Sequence, residues 1–143
     1  MASSYPYLGG VTNPRIVEAV LMYLFDKGAM PENVAIAEQC VFNPMEDALA
    51  RTGYGELCKK HKVKFIDIDK TEFEEKSFGE VSANVSTVMK DYDLVINIPV
   101  LKTHLLFGIS GALENMTRLV SKENLAQLQM ANIDLNVPMV LMN

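Results

Sequence analysis

Short apolar runs alternate along this chain with helix-periodic stretches that open on capping signals, and that alternation constrains its fold more than any other feature. Asn13 before Pro14 supplies a helix start, Ile16, Val17, Val20, Leu21 and Leu24 form one broad apolar face, and Gly28 is placed to end it. Val34-Ala35-Ile36-Ala37 follows as a buried strand. The start signal repeats at Asn43-Pro44, with Glu46 spaced for a capping box, and this helix breaks near Gly53 and resumes over 56–61. Val63-Lys64-Phe65-Ile66-Asp67-Ile68 alternates as a second strand. The acidic stretch 69–79 reads as a solvated loop or edge, 81–85 as a short strand and 86–92 as a helical turn. Asp93-Leu94-Val95-Ile96-Asn97-Ile98-Pro99, β-branched and bounded by turn residues, reads as the strongest strand of all. A helix is expected over 109–117, and Ser121 is the N-cap of another over 122–130.

Strands alternating with helices imply βαβ units. The expected architecture is a single α/β domain over residues 1–143, Rossmann-like, with a mostly parallel sheet and helices on both faces. The ends leave two readings open. The chain starts on a helix and stops within the apolar Val137-Pro138-Met139-Val140-Leu141-Met142. Either that tail tucks into the sheet, or the domain is incomplete at its ends and belongs to a longer protein.

A chain of 143 residues is long enough to bury one core. Its formal net charge of −5 argues against nucleic acid and against an anionic membrane surface as partners. Two cysteines, Cys40 and Cys58, form no Cys-x-x-Cys pair, so neither a disulfide framework nor a four-thiolate iron–sulfur cluster is encoded in the chain. They read as half-buried free thiols in a reducing cytoplasm. Met1-Ala2-Ser3-Ser4 lacks the basic and apolar regions of a signal peptide. No apolar run reaches the roughly 18–20 residues that cross a bilayer, so a soluble, cytoplasmic protein is expected.

In open α/β sheets ligands sit beyond the carboxyl ends of the strands, which directs attention to the loop after Ile98. Lys102 and His104 stand one residue apart there. A cation beside an imidazole can grip a phosphate or carboxylate. His104 is alternatively a metal ligand or a proton carrier, and the plain reading is a solvated lysine with a histidine bonded to a backbone carbonyl. Gly108-Ile109-Ser110-Gly111 then opens the expected helix, leaving backbone N–H groups for an anion, although it matches neither a Walker A loop nor a dinucleotide motif. Thr103 and Ser110 are candidate hydroxyl ligands, with loop and cap duty as the competing explanation. Glu114, one turn from Ser110, is either a base or metal ligand or a solvated helix carboxylate, and Asn115 lies beside it. Glu38, at the end of the Val34 strand, and Thr12, before the first helix, are placed to line the same crevice. His61 in Lys59-Lys60-His61-Lys62 reads as a basic helix end that complements the helix dipole. No Ser-His-Asp order, catalytic carboxylate pair or His-x-x-x-His zinc pair is present.

The run from Asp93 to His104, followed by Gly111-Ala112-Leu113-Glu114-Asn115-Met116, resembles the domain of unknown function 362 family, in which a strand ends in Pro-x-x-Lys-x-His and a Thr/Ser-Gly-x-x-Lys-Asn segment follows. Residues 10–20 and 34–38 also match the usual N-terminal part of that family, so the resemblance covers most of the chain. The sequence departs from the pattern in three places. Glu114 stands where the family has lysine, Met116-Thr117-Arg118 stand where a glycine usually follows, and the family's first strand, with its Lys-Pro-Asn-like segment, is missing. Family members sometimes continue into a cysteine-rich iron–sulfur module. The resemblance implies an α/β fold in a prokaryotic, often anaerobic, redox setting, and it supplies no reaction.

The leading expectation is a domain that binds a small anionic ligand or a metal-containing cofactor through Lys102, Thr103 and His104 with Ser110 and Asn115, in a redox-associated system. The cofactor's identity and any reaction are left unassigned. The alternative is a non-catalytic, oligomerising or protein-interaction domain. A third reading, a metal-dependent hydrolase, requires Glu38 or Glu114 within ligand distance of His104.

Overall fold

The computed structural model describes residues 10–40, 43–78, 81–105 and 108–130. The chain divides into two compact units, Met1–Asp67 and Ile68–Asn143. It is a mixed α/β protein, and among the described residues one two-stranded sheet is parallel and two are antiparallel. The opening residues 1–4 and the apolar tail 137–142 lie outside the described residues.

In the first unit, α1 (Pro14–Asp26) begins where Asn13 accepts the Arg15 N–H at 3.0 Å, and Gly28 follows it with φ +94°. Val17 and Leu21 are its buried residues. Strand β1 (Ala35–Glu38) pairs in parallel with β2 (Lys64–Asp67), so that Glu38 stands opposite Asp67 at the carboxyl edge. Between them lie α2 (Met45–Thr52) and α3 (Tyr54–His61), separated by Gly53 at φ +81°. This is a βαβ connection of the expected kind. One local expectation is corrected. Pro44, not Asn43, occupies the cap position of α2, and no side chain caps it, because Pro44 is itself extended (ψ 138°) and Met45 is the first helical residue.

Glu18 of α1 reaches the basic end of α3, accepting from Lys60 Nζ at 2.7 Å and bonding His61 Nε2 at 2.8 Å. The basic helix end therefore meets a carboxylate as well as the helix dipole. Phe25 lies against the same imidazole, with ring centroids 6.1 Å apart.

In the second unit, β3 (Phe73–Phe78) and β4 (Val81–Ser86) form an antiparallel hairpin, so the acidic stretch is a strand as well as an edge. Lys76 and Lys90 both pair with Glu74, which offsets the local negative charge. The core here contains Ala83 and Val120 beside Leu125 of α5 (Lys122–Met130), with Val81 packed against it. Ser121 sits before α5 as expected, its hydroxyl oxygen 3.4 Å from the Asn124 N–H.

The largest correction concerns residues 93–99. Expected as the strongest strand, they join no ladder among the described residues, and Leu94, Val95 and Ile96 are exposed. β-branched residues favour an extended backbone, but a strand exists only where a neighbour completes its hydrogen bonds. Strand pairing resumes instead at β5 (Lys102–His104), which forms a short antiparallel hairpin with β6 (Gly108–Ser110). The residues expected to open a helix, 108–110, are thus a strand. Helix α4 (Ala112–Met116) starts later and passes into a 3-10 turn at Thr117–Leu119.

Candidate functional site

The hairpin register places the predicted residues with some force. Lys102 pairs with Ser110, Thr103 with Ile109 and His104 with Gly108. Directly opposed residues share a face and successive residues alternate faces. Lys102, His104 and Ser110 therefore lie on one face, while Thr103 shares the other with Ile109. The strand-end loop of the sequence reading is in fact one strand of a hairpin, and Thr103 is turned away from its two neighbours. At Gly108, φ is +72°, so the residue opposite His104 is one that takes a left-handed backbone without strain.

Exposure follows the same alternation. Lys102 and His104 are half-buried, Ser110 is 1% exposed, and Thr103 and Ile109 are exposed. The Ser110 hydroxyl donates to Glu114 Oε2 at 2.6 Å, and Glu114 Oε1 lies 3.5 Å from Arg118 Nη2. Glu114 is no solvated helix carboxylate, since its side chain is only 12% exposed. Ser110 precedes α4 instead of lying on it, and its hydroxyl is committed to Glu114, so the expected anion cradle at a helix start is replaced by a hydroxyl–carboxylate–guanidinium chain. Asn115 is also engaged: its Nδ2 donates to Asn97 Oδ1 at 2.8 Å, while Asn97 Nδ2 donates to the Ala112 carbonyl at 2.9 Å. These bonds fasten the 93–101 segment to α4.

Thr12 and Glu38 belong to the first unit. The Thr12 carbonyl accepts the Tyr54 hydroxyl at 3.0 Å, and Glu38 accepts the Gln39 N–H at 2.9 Å. Burial, then the charge of Glu38, pushes the Tyr54 phenol well above its ordinary value. Arg118, Asn97 and Tyr54 escaped the sequence reading. Glu114 and Arg118 carried an audible signal, an i,i+4 acid–base spacing. The Thr12–Tyr54 bond spans 42 positions and had none.

Among the described residues no group of three or more His, Cys, Asp or Glu side chains is placed to hold a metal ion. The cysteines do not fit an iron–sulfur cluster either, being two in number, Cys40 half-buried and Cys58 buried. A cavity of about 400 Å³ in the second unit is lined by Asp69, Phe73, Asn84, Ser121, Lys122 and Glu123, with Lys122 and Asp69 already paired. None of the predicted site residues lines it.

The family model described as Domain of unknown function (DUF362) matches residues 1–143, the whole chain. The chain belongs to that family. Lys102-Thr103-His104 is one strand of the hairpin, and Glu114 is the carboxylate that holds Ser110. No curated protein and no solved structure matches the chain. No helix among the described residues is long and apolar enough to cross a membrane.

Proposed function

We propose that the Lys102–His104–Ser110 face of the hairpin binds a small anionic group, either free or as part of a metal-containing cofactor, in a redox-associated system. The supporting observation is the register, which puts an ammonium and an imidazole on one face of a two-stranded element. Lys102 supplies the point charge and His104 a directional N–H donor. Glu114 keeps the Ser110 hydroxyl oriented, and Arg118 balances the carboxylate so that it does not repel an incoming anion. Thr103 drops out of the ligand set, and Asn115 serves as a fastener for the segment that leads into β5. His104 would meet a metal complex as a single protein ligand or through the complex's anionic groups.

The two units are read as parts of one Rossmann-like α/β domain, on the ground that a single family model spans both and that β1 and β2 form a parallel pair joined through helices. The acidic net charge fits a protein without a nucleic-acid or anionic-membrane partner. Titration calorimetry with inorganic phosphate tests the reading. Wild-type protein should bind, and Lys102→Ala and His104→Ala should each weaken binding about tenfold or more, the loss of one charge-assisted hydrogen bond. Equal phosphate binding by wild type and both variants would refute the site.

A further inference from the structure

The cavity of the second unit is built from three pieces of chain. Asp69 comes from the 3-10 turn Ile68–Lys70, Phe73 and Asn84 from β3 and β4, and Ser121, Lys122 and Glu123 from the entry to α5. In the β3–β4 register Phe73 stands opposite Ser86 and Asn84 opposite Glu75. Phe73 and Asn84 therefore share one face of that hairpin, and the buried Ala83 and Val85 lie on the other. Hydrogen bonds tie β4 to the entry of α5: the Ser121 N–H donates to the Asn84 carbonyl at 2.9 Å, and the Asn84 N–H donates to Asn124 Oδ1 at 2.8 Å. At about 400 Å³ the cavity falls within the roughly 300–1,000 Å³ of ordinary small-molecule sites.

The chemistry of the wall selects among ligands. Lys122 and Asp69 form an ion pair there, their side chains 40% and 25% exposed. A lone anion taking Lys122 removes the ammonium from Asp69, and a lone cation taking Asp69 removes the carboxylate from Lys122. Either exchange loses the pair it breaks. A zwitterion makes both exchanges at once, its carboxylate on Lys122 and its ammonium on Asp69, so charge stays matched. Glu123 adds a second carboxylate on the same wall, which favours a bound ammonium and disfavours a lone anion such as phosphate. The Phe73 ring offers an apolar surface that also attracts a cation, and the Asn84 amide carries both donor and acceptor atoms. The Ser121 hydroxyl is already committed to Asn124 Oδ1 at 3.1 Å, so it closes the wall.

We propose that this cavity binds a free amino acid with an apolar side chain, its two charged ends replacing the Lys122–Asp69 contact and its side chain lying on Phe73. Calorimetric titration of the whole chain with L-phenylalanine should show binding with a dissociation constant on the order of a millimolar or below. N-acetyl-L-phenylalanine lacks the ammonium and L-phenylalanine methyl ester lacks the carboxylate. Each should bind the same wild-type protein about tenfold more weakly or worse. Lys122→Gln and Asp69→Asn should each weaken L-phenylalanine binding to a similar degree with circular dichroism unchanged, and Lys102→Ala should leave it as in the wild type. A wild type that does not bind L-phenylalanine, or that binds either blocked analogue equally well, would overturn the proposal. So would binding that persists in folded Lys122→Gln and Asp69→Asn, or that is lost in Lys102→Ala.

Discussion

The Ser110 hydroxyl donates to the Glu114 carboxylate across 2.6 Å, and both groups are nearly withdrawn from water. That bond ties the last residue of β6 to α4, and through the hairpin register it sets the position of Lys102 opposite Ser110.

Removing this hydroxyl leaves a largely shielded carboxylate with one partner fewer. Ser110→Ala should lower unfolding stability by about 1–3 kcal/mol, the cost of an unsatisfied buried acceptor. Glu114→Lys should destabilise more than Ser110→Ala because it sets a second cation beside Arg118. Combining it with Arg118→Gly should recover most of the loss. Chemical denaturation midpoints check both expectations, and a stabilising Glu114→Lys would mean that Arg118 does not face this carboxylate in solution.

Acid should weaken the fold through two surface carboxylates. The hydrogen bonds from Lys60 and then His61 hold Glu18 below its ordinary 4.5, and those from Lys76 and then Lys90 do the same for Glu74. Both groups ionise more readily folded than unfolded, so their contribution is present above 4.5 and is lost as pH falls through the lowered folded values. Denaturation midpoints measured from pH 6 to 3 should fall, and Glu18→Gln with Glu74→Gln should flatten that slope. Identical slopes for the double variant and wild type would contradict the assignment.

The two thiols should differ in reactivity. Cys58 is buried and its thiol is pushed up by that burial, whereas Cys40 is half-buried. The reactive species is the thiolate, so Cys58 should react with a disulfide reagent slower than Cys40 by on the order of tenfold at neutral pH. Denaturant should abolish the difference. Two equally fast thiols in the native chain would place Cys58 at the surface.

Local chemistry explains why part of this architecture was legible in the sequence. Asn13-Pro14, Gly28 and Gly53 act within a few residues of themselves, and α1, α2 and α3 lie within a few residues of the stretches they announce. β1 and β2 lie within a residue of where their patterns predict and pair with each other, but β1, expected to be buried, is half-buried at Ala35 and Ile36 and exposed at Ala37 and Glu38, because its one described neighbour is β2. The 93–99 run shows the limit: its residues specify an extended backbone, but pairing depends on a partner strand that local sequence does not name. The acidic 73–78 stretch is the converse, a polar segment made a strand by β4 opposite it. At the site, Lys102 and His104 were legible as a pair. Their separation from Thr103 was not, because it follows from the β5–β6 register. Glu114's burial likewise depends on a serine in a strand that reads locally as helix.

Native mass spectrometry with metal analysis, on anaerobically purified wild-type, Lys102→Ala and His104→Ala protein, tests the ligand site most directly. The wild type should carry a bound anionic mass, with or without metal, and both variants should lose it while the fold is retained. A ligand held equally by all three proteins, or a wild type that neither retains a ligand nor takes up phosphate, would contradict it.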